Sequence, residues 1–470
     1  MSGKILTIFI LSLLVITILP LSAIGEKSDT ECNSNNSWFV SEGINNQAGV
    51  KVYNSGCCEG YTLLSFCSFN KSYESWCVSL IDMNGNEIKR WNSTIPDPAK
   101  MLSDGSIITG GDTIYTDKSE TNLCQLDWNG NVVWNFSGWD DDSTVTLMSR
   151  SHHDFEREGN PVGYYAPGQD FVPFGKTLIL GHLTTHNTSI SKKTLLDDVI
   201  YEVNWNGTLT GFKWIASEHL DEMGFDSKAR IGMWLNPGGP GLLLGSTPGD
   251  LLHINSVSYV GKNHWYDEDP IKYSYFNPEN IIISSRHACF IAIISRETGK
   301  IVWRVGPDYS KNTEEGRKLG AIIGPHNAHM IPDGLPGAGG ILVFDNGGVA
   351  GYGPFGFPSH IRLYSRVFEF NPITLEIVSE YKDRTGLTVF PRYGNLHKFF
   401  SPTMGSAQRL PNGNTLVTEA LPGRVFELNQ NNEIIWEFIT PTRSTFLYRS
   451  YRVAPEWVPG NPRDYPSWED

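Results

Sequence analysis

With 470 residues, 40% hydrophobic and 12% aromatic, the chain has ample material for a large packed core. Its 51 acidic against 37 basic side chains give a formal net charge of -14, and no Lys/Arg run breaks that balance, so a phosphate-neutralising nucleic-acid surface is excluded. No glycine loop of the kind that cradles phosphate precedes a helix.

The chain opens with Lys4 and an apolar run, Ile5 to Leu19, followed by Pro20-Leu21-Ser22-Ala23. A basic start, a short apolar stretch and small exit residues predict a secretory signal over residues 1–23, hence a secreted or extracytoplasmic body; membrane anchoring by an uncleaved segment is the alternative. Cysteine usage fits export, because Cys32, Cys57, Cys58, Cys67 and Cys77 crowd the first exported segment, with Cys124 and Cys289 elsewhere. Their spacings match no zinc framework, so disulfides are expected, with one thiol of the 7 left over. Sequons at Asn35, Asn70, Asn92, Asn135, Asn187 and Asn206 are compatible with glycosylation.

Residues 24–58 read as a Cys-rich segment that includes a ring-closing strand, Gly49 to Tyr53. From residue 59 to 445 one pattern recurs: a short apolar strand, a polar turn and a second strand, in most copies with a tryptophan late in it. The copies end on Trp91, Trp134, Trp214, Trp303, Tyr381 and Trp436. Strand pairs joined by Asn-Gly or Thr-Gly turns predict the blades of an all-β, six-bladed β-propeller, with the tryptophans packed between blades. The 47 glycines and 27 prolines suit such a turn-rich chain. Residues 446–470 are expected to be an irregular extension, and Asp140-Asp141-Asp142 a solvent loop, with calcium as the weaker reading.

Function is argued from histidines. When the copies are superposed on their turn glycines, His253 and His326 fall in one column and His153 two residues beyond it, a spacing that keeps one face of a strand. The first strand of each propeller blade lines the axis, so His153, His253, Asn255 and His326 are expected to meet at one mouth. His152 and His329 sit on the opposite face or at the rim. No metal is assigned, because no carboxylate is spaced as a fourth ligand, and no cofactor is expected.

These residues carry a resemblance. His253-Ile254-Asn255-Ser256, Pro325-His326-Asn327-Ala328-His329, Phe344-Asp345-Asn346-Gly347, Ser365-Arg366-Val367-Phe368-Glu369 and Gln408-Arg409-Leu410-Pro411-Asn412-Gly413 resemble the arylsulfotransferase family over roughly Gly49 to Phe438. That resemblance implies a six-bladed propeller moving a sulfuryl group from a phenolic sulfate to another phenol through a transiently sulfated histidine, with no nucleotide donor. It assigns catalytic roles to His253 and His326, with Asn255 or Asn327 as amide donor and Arg366 as the candidate arginine; the column argument adds His153 to the catalytic set, and His329, His152 and Thr403 complete the expected substrate contacts. It also implies a histidine just before Ser406-Ala407-Gln408-Arg409, where this chain has Thr403; His397 is a candidate stand-in. A non-catalytic secreted propeller holding an anion or glycan in its axial pocket is the competing expectation.

Overall fold

A computed structural model describes residues 48–70, 73–93, 98–110, 122–140, 146–148, 150–242, 247–384, 399–441 and 445–469. The leader, Cys32 and His397 therefore lie outside the described residues. Within them, no helix is long and apolar enough to cross a membrane.

The strands assemble into six antiparallel sheets arranged as a propeller, so the six-bladed architecture read from the repeats is the one observed. Blade 2 runs from Lys100–Met101 through Ile107–Gly110 and Leu123–Leu126 to Val132–Phe136. Blade 3 comprises Ser151–Arg157, Thr177–Thr185, Leu195–Val203 and Leu209–Ile215. Blade 4 comprises Ile254–Tyr259, Ile281–Ser285, Phe290–Ile294 and Ile301–Val305. Blade 5 comprises His326–Met330, Ile341–Asp345, Arg366–Phe370 and Ile377–Tyr381. Blade 6 comprises Ser406–Arg409, Thr415–Glu419, Arg424–Leu428 and Ile434–Ile439. First strands of blades 3, 4, 5, 6 and 1 touch in succession around the axis.

Closure is double. Gly49–Tyr53 adds an outermost strand to blade 6, with Val50 opposite Phe438, as the sequence suggested. Blade 1 takes Tyr61–Asn70, Tyr73–Ile81 and Glu87–Ser93 from the start of the chain, but its innermost strand is Thr445–Val453. The expectation of an irregular extension over 446–470 is therefore corrected for its first third. Tyr451 and Val453 are buried, and Arg452, fully buried, pairs with Glu427 at 3.0 Å and lies over the Trp436 ring. That strand carries no turn of its own, which is why the repeat pattern does not reveal it.

The tryptophans latch the ring. Each indole N–H donates to a backbone carbonyl of the following blade: Trp91 to Asp127, Trp134 to Trp205, Trp214 to Gly299, Trp303 to Pro372 and Trp436 to Met83. The acceptors sit at the turns between the third and fourth strands, so an apolar ring fills the groove between blades while its polar edge is satisfied. Blade 5 has Tyr381 at this place, packed instead on Phe399 and Phe426.

Two insertions stand off the blades. The hairpin Gly348–Tyr352 with Pro358–Arg362 interrupts blade 5, and the helix Ser227–Leu235 lies between blades 3 and 4. The helix starts where Asp226 accepts the Ala229 N–H at 2.8 Å, satisfying a donor that the first turn leaves open. The two insertions pack together: Gly232 approaches the Gly353 carbonyl so closely that a Cβ there would sit 2.6 Å from it. Tyr352 ties the hairpin to the entrance of blade 4, accepting from Gly238 N at 2.8 Å and donating to Leu251 O at 2.5 Å.

Among the described cysteines, Cys57, Cys58 and Cys289 are free thiols. Cys57 donates to Asn54 O at 2.9 Å, and burial pushes the Cys58 thiol up to about 12. No disulfide forms at these three positions, against the expectation of one thiol of the 7 left over.

Candidate active site

The inner strands of blades 3, 4 and 5 share an irregularity. Their pairing register slips between Ser151 and Phe155, between Ile254 and Ser256, and between His326 and His329. Beside each slip stands a non-glycine residue in the left-handed region: His153 at φ 62°, His253 at φ 51° and Asn327 at φ 50°. Such conformations cost on the order of 1 kcal/mol or more and persist where packing holds them. The bulges re-aim side chains at the head of each inner strand.

Two of the sequence-predicted residues converge, and a third histidine, His287, joins them. The His153 and His253 rings meet edge to face with centroids 4.5 Å apart, and His253 stacks on His287 at 4.6 Å. His253 Nδ1 is 2.5 Å from Asp250 Oδ2, and the side chain keeps 14% of its surface exposed. His287 Nδ1 donates to the Asp250 carbonyl at 2.9 Å. Burial, then the neighbouring His253, holds the His153 imidazole well below its ordinary pKa.

His326 is buried at the head of blade 5. Asn346 fixes its tautomer: the amide nitrogen donates to Ser401 O at 2.7 Å and Met404 O at 2.6 Å, so Asn346 Oδ1 must accept from His326 Nδ1 at 2.8 Å. The lone pair is thereby left on Nε2, which receives the Met404 N–H at 3.2 Å. Burial first and the Arg286 charge second hold this imidazole neutral, well below the usual histidine pKa.

Arg286 itself carries no signal in the sequence. It is 1% exposed, yet neither of its terminal guanidinium nitrogens has a hydrogen-bond partner among the described residues. Burial lowers its pKa only to about 10, so it stays cationic at neutral pH. Its backbone N–H donates to the His253 carbonyl at 3.0 Å, and its side chain passes 3.6 Å from the place a Cβ on Gly324 would occupy, between the heads of blades 4 and 5. A buried cation with unsatisfied donors is the arrangement that an anion can satisfy.

A second arginine, Arg449, comes from the strand that the repeat pattern does not reveal. It is 1% exposed, pairs with Asp154 Oδ2 at 3.0 Å and donates to the Asn255 carbonyl at 2.6 Å. Lys100 takes the other Asp154 oxygen at 2.7 Å. Burial would raise the Asp154 carboxyl, but Arg449 and Lys100 overcome it and hold the pKa below the ordinary value.

The remaining expected contacts are spent inside the ring. Asn255 donates to Pro325 O at 2.8 Å and accepts from Ser284 at 2.9 Å, tying blade 4 to blade 5. Asn327 Oδ1 accepts the Ala407 N–H at 3.1 Å, tying blade 5 to blade 6. His329 donates to Asn327 O and accepts from Tyr164, both at 2.8 Å. His152 contacts His153 through Nδ1 at 2.7 Å.

Arg366 is not brought to the histidines. It is locked to Asp345 at 2.7 Å and Glu380 at 3.1 Å over the Phe368 ring, an ion-paired clamp within blade 5. Thr403 offers a backbone carbonyl to Ser401 at 2.8 Å, and the loop it belongs to lies over His326 through Met404. Phe399 packs between Phe344 and Phe426 in the core.

The sequence profile described as Arylsulfotransferase (ASST) matches residues 98–441. The chain belongs to the arylsulfotransferase family. No curated protein matches it. Similar solved structures include a protein of unknown function from Bacteroides caccae, at 10% identity and TM-score 0.41, with 84% of this chain and 99% of that chain covered. A streptogramin B lyase structure follows at 11% identity and TM-score 0.36, covering 84% and 88%. Virginiamycin B lyase from Staphylococcus aureus stands at 10%, TM-score 0.35, covering 86% and 96%. None of the three lends its activity to this arylsulfotransferase-family chain.

Proposed function

We propose that this chain transfers a sulfuryl group from a phenolic sulfate ester to a phenolic acceptor through a sulfohistidine on His326, without a nucleotide donor. The observation that carries the reading is Arg286, a buried guanidinium with two unpartnered nitrogens whose charge is felt at His326. In the first step the His326 Nε2 lone pair attacks sulfur, the N–S bond forms, and the S–O bond to the donor breaks to release phenolate. Arg286 offsets the negative charge on the sulfuryl oxygens. In the second step the acceptor oxygen attacks sulfur, the N–S bond breaks, and the acceptor proton passes to His253 Nε2, whose other nitrogen is held by Asp250. His326 rather than His253 is the nucleophile because its Nδ1 is held by the neutral Asn346 amide, where His253 has a carboxylate that would repel an incoming sulfate ester. A location outside the cytoplasm, directed by residues 1–23, belongs to the same proposal.

Incubation with p-nitrophenyl sulfate and phenol tests it. Acceptor-dependent nitrophenolate release that His326→Ala abolishes, and that a change at the exposed His186 leaves intact, supports the enzyme. One contact favours the competing reading of an anion-binding, non-catalytic propeller: the Met404 N–H occupies the His326 Nε2 lone pair at 3.2 Å. Silence with a range of donors, together with sulfate binding that depends on Arg286, would decide for that reading.

A further inference from the structure

The two insertions turn apolar side chains to solvent. In the helix Ser227–Leu235, Ala229, Gly232 and Met233 face the protein, and the outward stripe is Ile231, Trp234 and Leu235, at 55%, 37% and 44% exposure. Spacings of three and four residues keep one helix face, so the apolar side points away from the core. In the hairpin, Phe355 and Phe357 are 69% and 62% exposed, and Ile361, on the outer side of the strand Pro358–Arg362, is 55% exposed. The turn holds Phe355 at φ 61°, a left-handed conformation rare for a bulky side chain, and the ring it positions faces solvent.

Glycines bring the insertions together. A Cβ on Gly356 would lie 2.8 Å from the Asn236 Cβ and 3.0 Å from the Gly232 carbonyl. Phe355 and Phe357 therefore stand beside the last turn of the helix, and the two sets of apolar side chains form one exposed patch. Such a patch marks a contact surface.

Charge says what it contacts. No Asp or Glu occurs between Asp226 and Asp250 or between Asp345 and Glu369, although the chain carries 51 acidic side chains and a net charge of -14. Exposed Lys228 and Arg230 flank the stripe, and exposed Lys192 and Lys193 lie at the end of the helix. There Lys193 Nζ donates to Asn236 Oδ1 at 3.2 Å and Ser191 Oγ to Trp234 O at 2.9 Å. Arg230 pairs with Asp221 at 2.8 Å and Arg362 turns inward to Asp345, so the three lysines are what this face offers a partner.

We propose that this face docks on a lipid bilayer containing anionic headgroups. Trp234, Leu235, Phe355 and Phe357 enter the boundary between headgroups and acyl chains, while Lys192, Lys193 and Lys228 lie at the headgroup phosphates. The overall negative charge of the chain does not oppose this, because charges farther than about 8–10 Å are screened at physiological salt and only the near face is felt. A second copy is a poorer occupant, since a two-fold contact sets the patch against itself and brings the lysines together. The hairpin is rooted beside the histidines: it follows Asn346, which holds His326, and Gly351 N donates to His287 O at 2.9 Å. Docking is nevertheless independent of the reaction proposed there.

Co-sedimentation of the full chain with vesicles tests the assignment. Mixed phosphatidylcholine and phosphatidylglycerol vesicles should retain the protein more strongly than pure phosphatidylcholine, and raising salt from about 0.1 M to about 1 M should weaken retention. Phe355→Ser with Phe357→Ser should weaken partitioning by about tenfold or more. Val132→Ser with Val378→Ser, on outer strands and each 63% exposed in the parent, should leave it unchanged. Lys192→Glu, Lys193→Glu and Lys228→Glu together should remove the preference for anionic vesicles. Retention that neither the phenylalanine nor the lysine set alters would come from elsewhere in the chain, such as the apolar run Ile5 to Leu19, and would overturn the proposal. No retention on either vesicle would also overturn it: dimers lost in the phenylalanine variant would then give the face to a second copy, and a lowered Tm of that variant to a segment of this chain. Should the phenylalanine variant fail to fold, the lysine variant and the salt series decide.

Discussion

His253 Nδ1 and Asp250 Oδ2 lie 2.5 Å apart, so the carboxylate fixes the imidazole in the tautomer whose lone pair is on Nε2. In the proposed reaction this pair receives the acceptor's proton, while donor cleavage needs only His326. Asp250→Asn should therefore keep a single-turnover burst of nitrophenolate and lose acceptor-dependent turnover by about 10²–10⁴-fold. Rapid-mixing kinetics with and without phenol separate the two phases.

His326→Ala should remove both phases and also abolish covalent labelling by radioactive aryl sulfate, detected after acid-avoiding denaturation. His253→Ala should retain the label and accumulate it, because the first step survives and the second does not.

Arg286→Met should lower kcat/KM by about 10²–10³-fold, the usual cost of removing one preorganised donor from a developing anion. The substitution breaks no hydrogen bond of the terminal guanidinium nitrogens and takes a buried charge out of the ring, so thermal stability should stay level or rise. An activity loss accompanied by a large fall in Tm would instead make Arg286 a structural cation.

Acid should unfold the ring early. Burial pulls His287 down to about 3 and His329 to about 4, and holds His326 well below the ordinary 6.5. These groups stay neutral in the folded chain while their unfolded counterparts take up protons below about pH 6.5. The unfolded state then binds more protons, so stability is full above pH 6.5 and declines as pH falls from there toward 4. Tm measured across pH 4–8 should show that slope, shallower in His287→Phe.

Arg452 pairs with Glu427, lies over Trp436 and donates to Thr62, all out of contact with solvent. Arg452→Leu would leave the Glu427 carboxylate without its cation and should destabilise by about 3–5 kcal/mol, visible as a lower midpoint in urea. Glu427→Gln in the same background should recover part of that loss.

What the sequence discloses is whatever a single blade encodes locally. Trp134 and its Asn-Gly turn lie within a few residues of each other, and their strand pair follows from turn chemistry alone. The column of His253 and His326 is legible for the same reason, since each stands a fixed distance from its turn glycine. Arg286 is not, because what distinguishes it from Arg366 is its pairing: Arg366 is matched to Asp345 and Glu380, the terminal nitrogens of Arg286 are matched to nothing described, and no spacing announces that difference. Arg449 reaches the histidines only across the whole ring, so its proximity is a property of closure. The tail strand lacks any hairpin partner nearby in the chain, its neighbour being Tyr61–Asn70.

That tail strand orders events during synthesis. Blade 1 waits, lacking its axial edge, while the other five sheets are made, and Tyr448 and Arg449 arrive with the strand that completes it. A chain released before Thr445 would thus lack both the clasp and the guanidinium that anchors Asp154 at the axis, so the axial ion pair and mechanical closure are delivered in one step by the same nine residues.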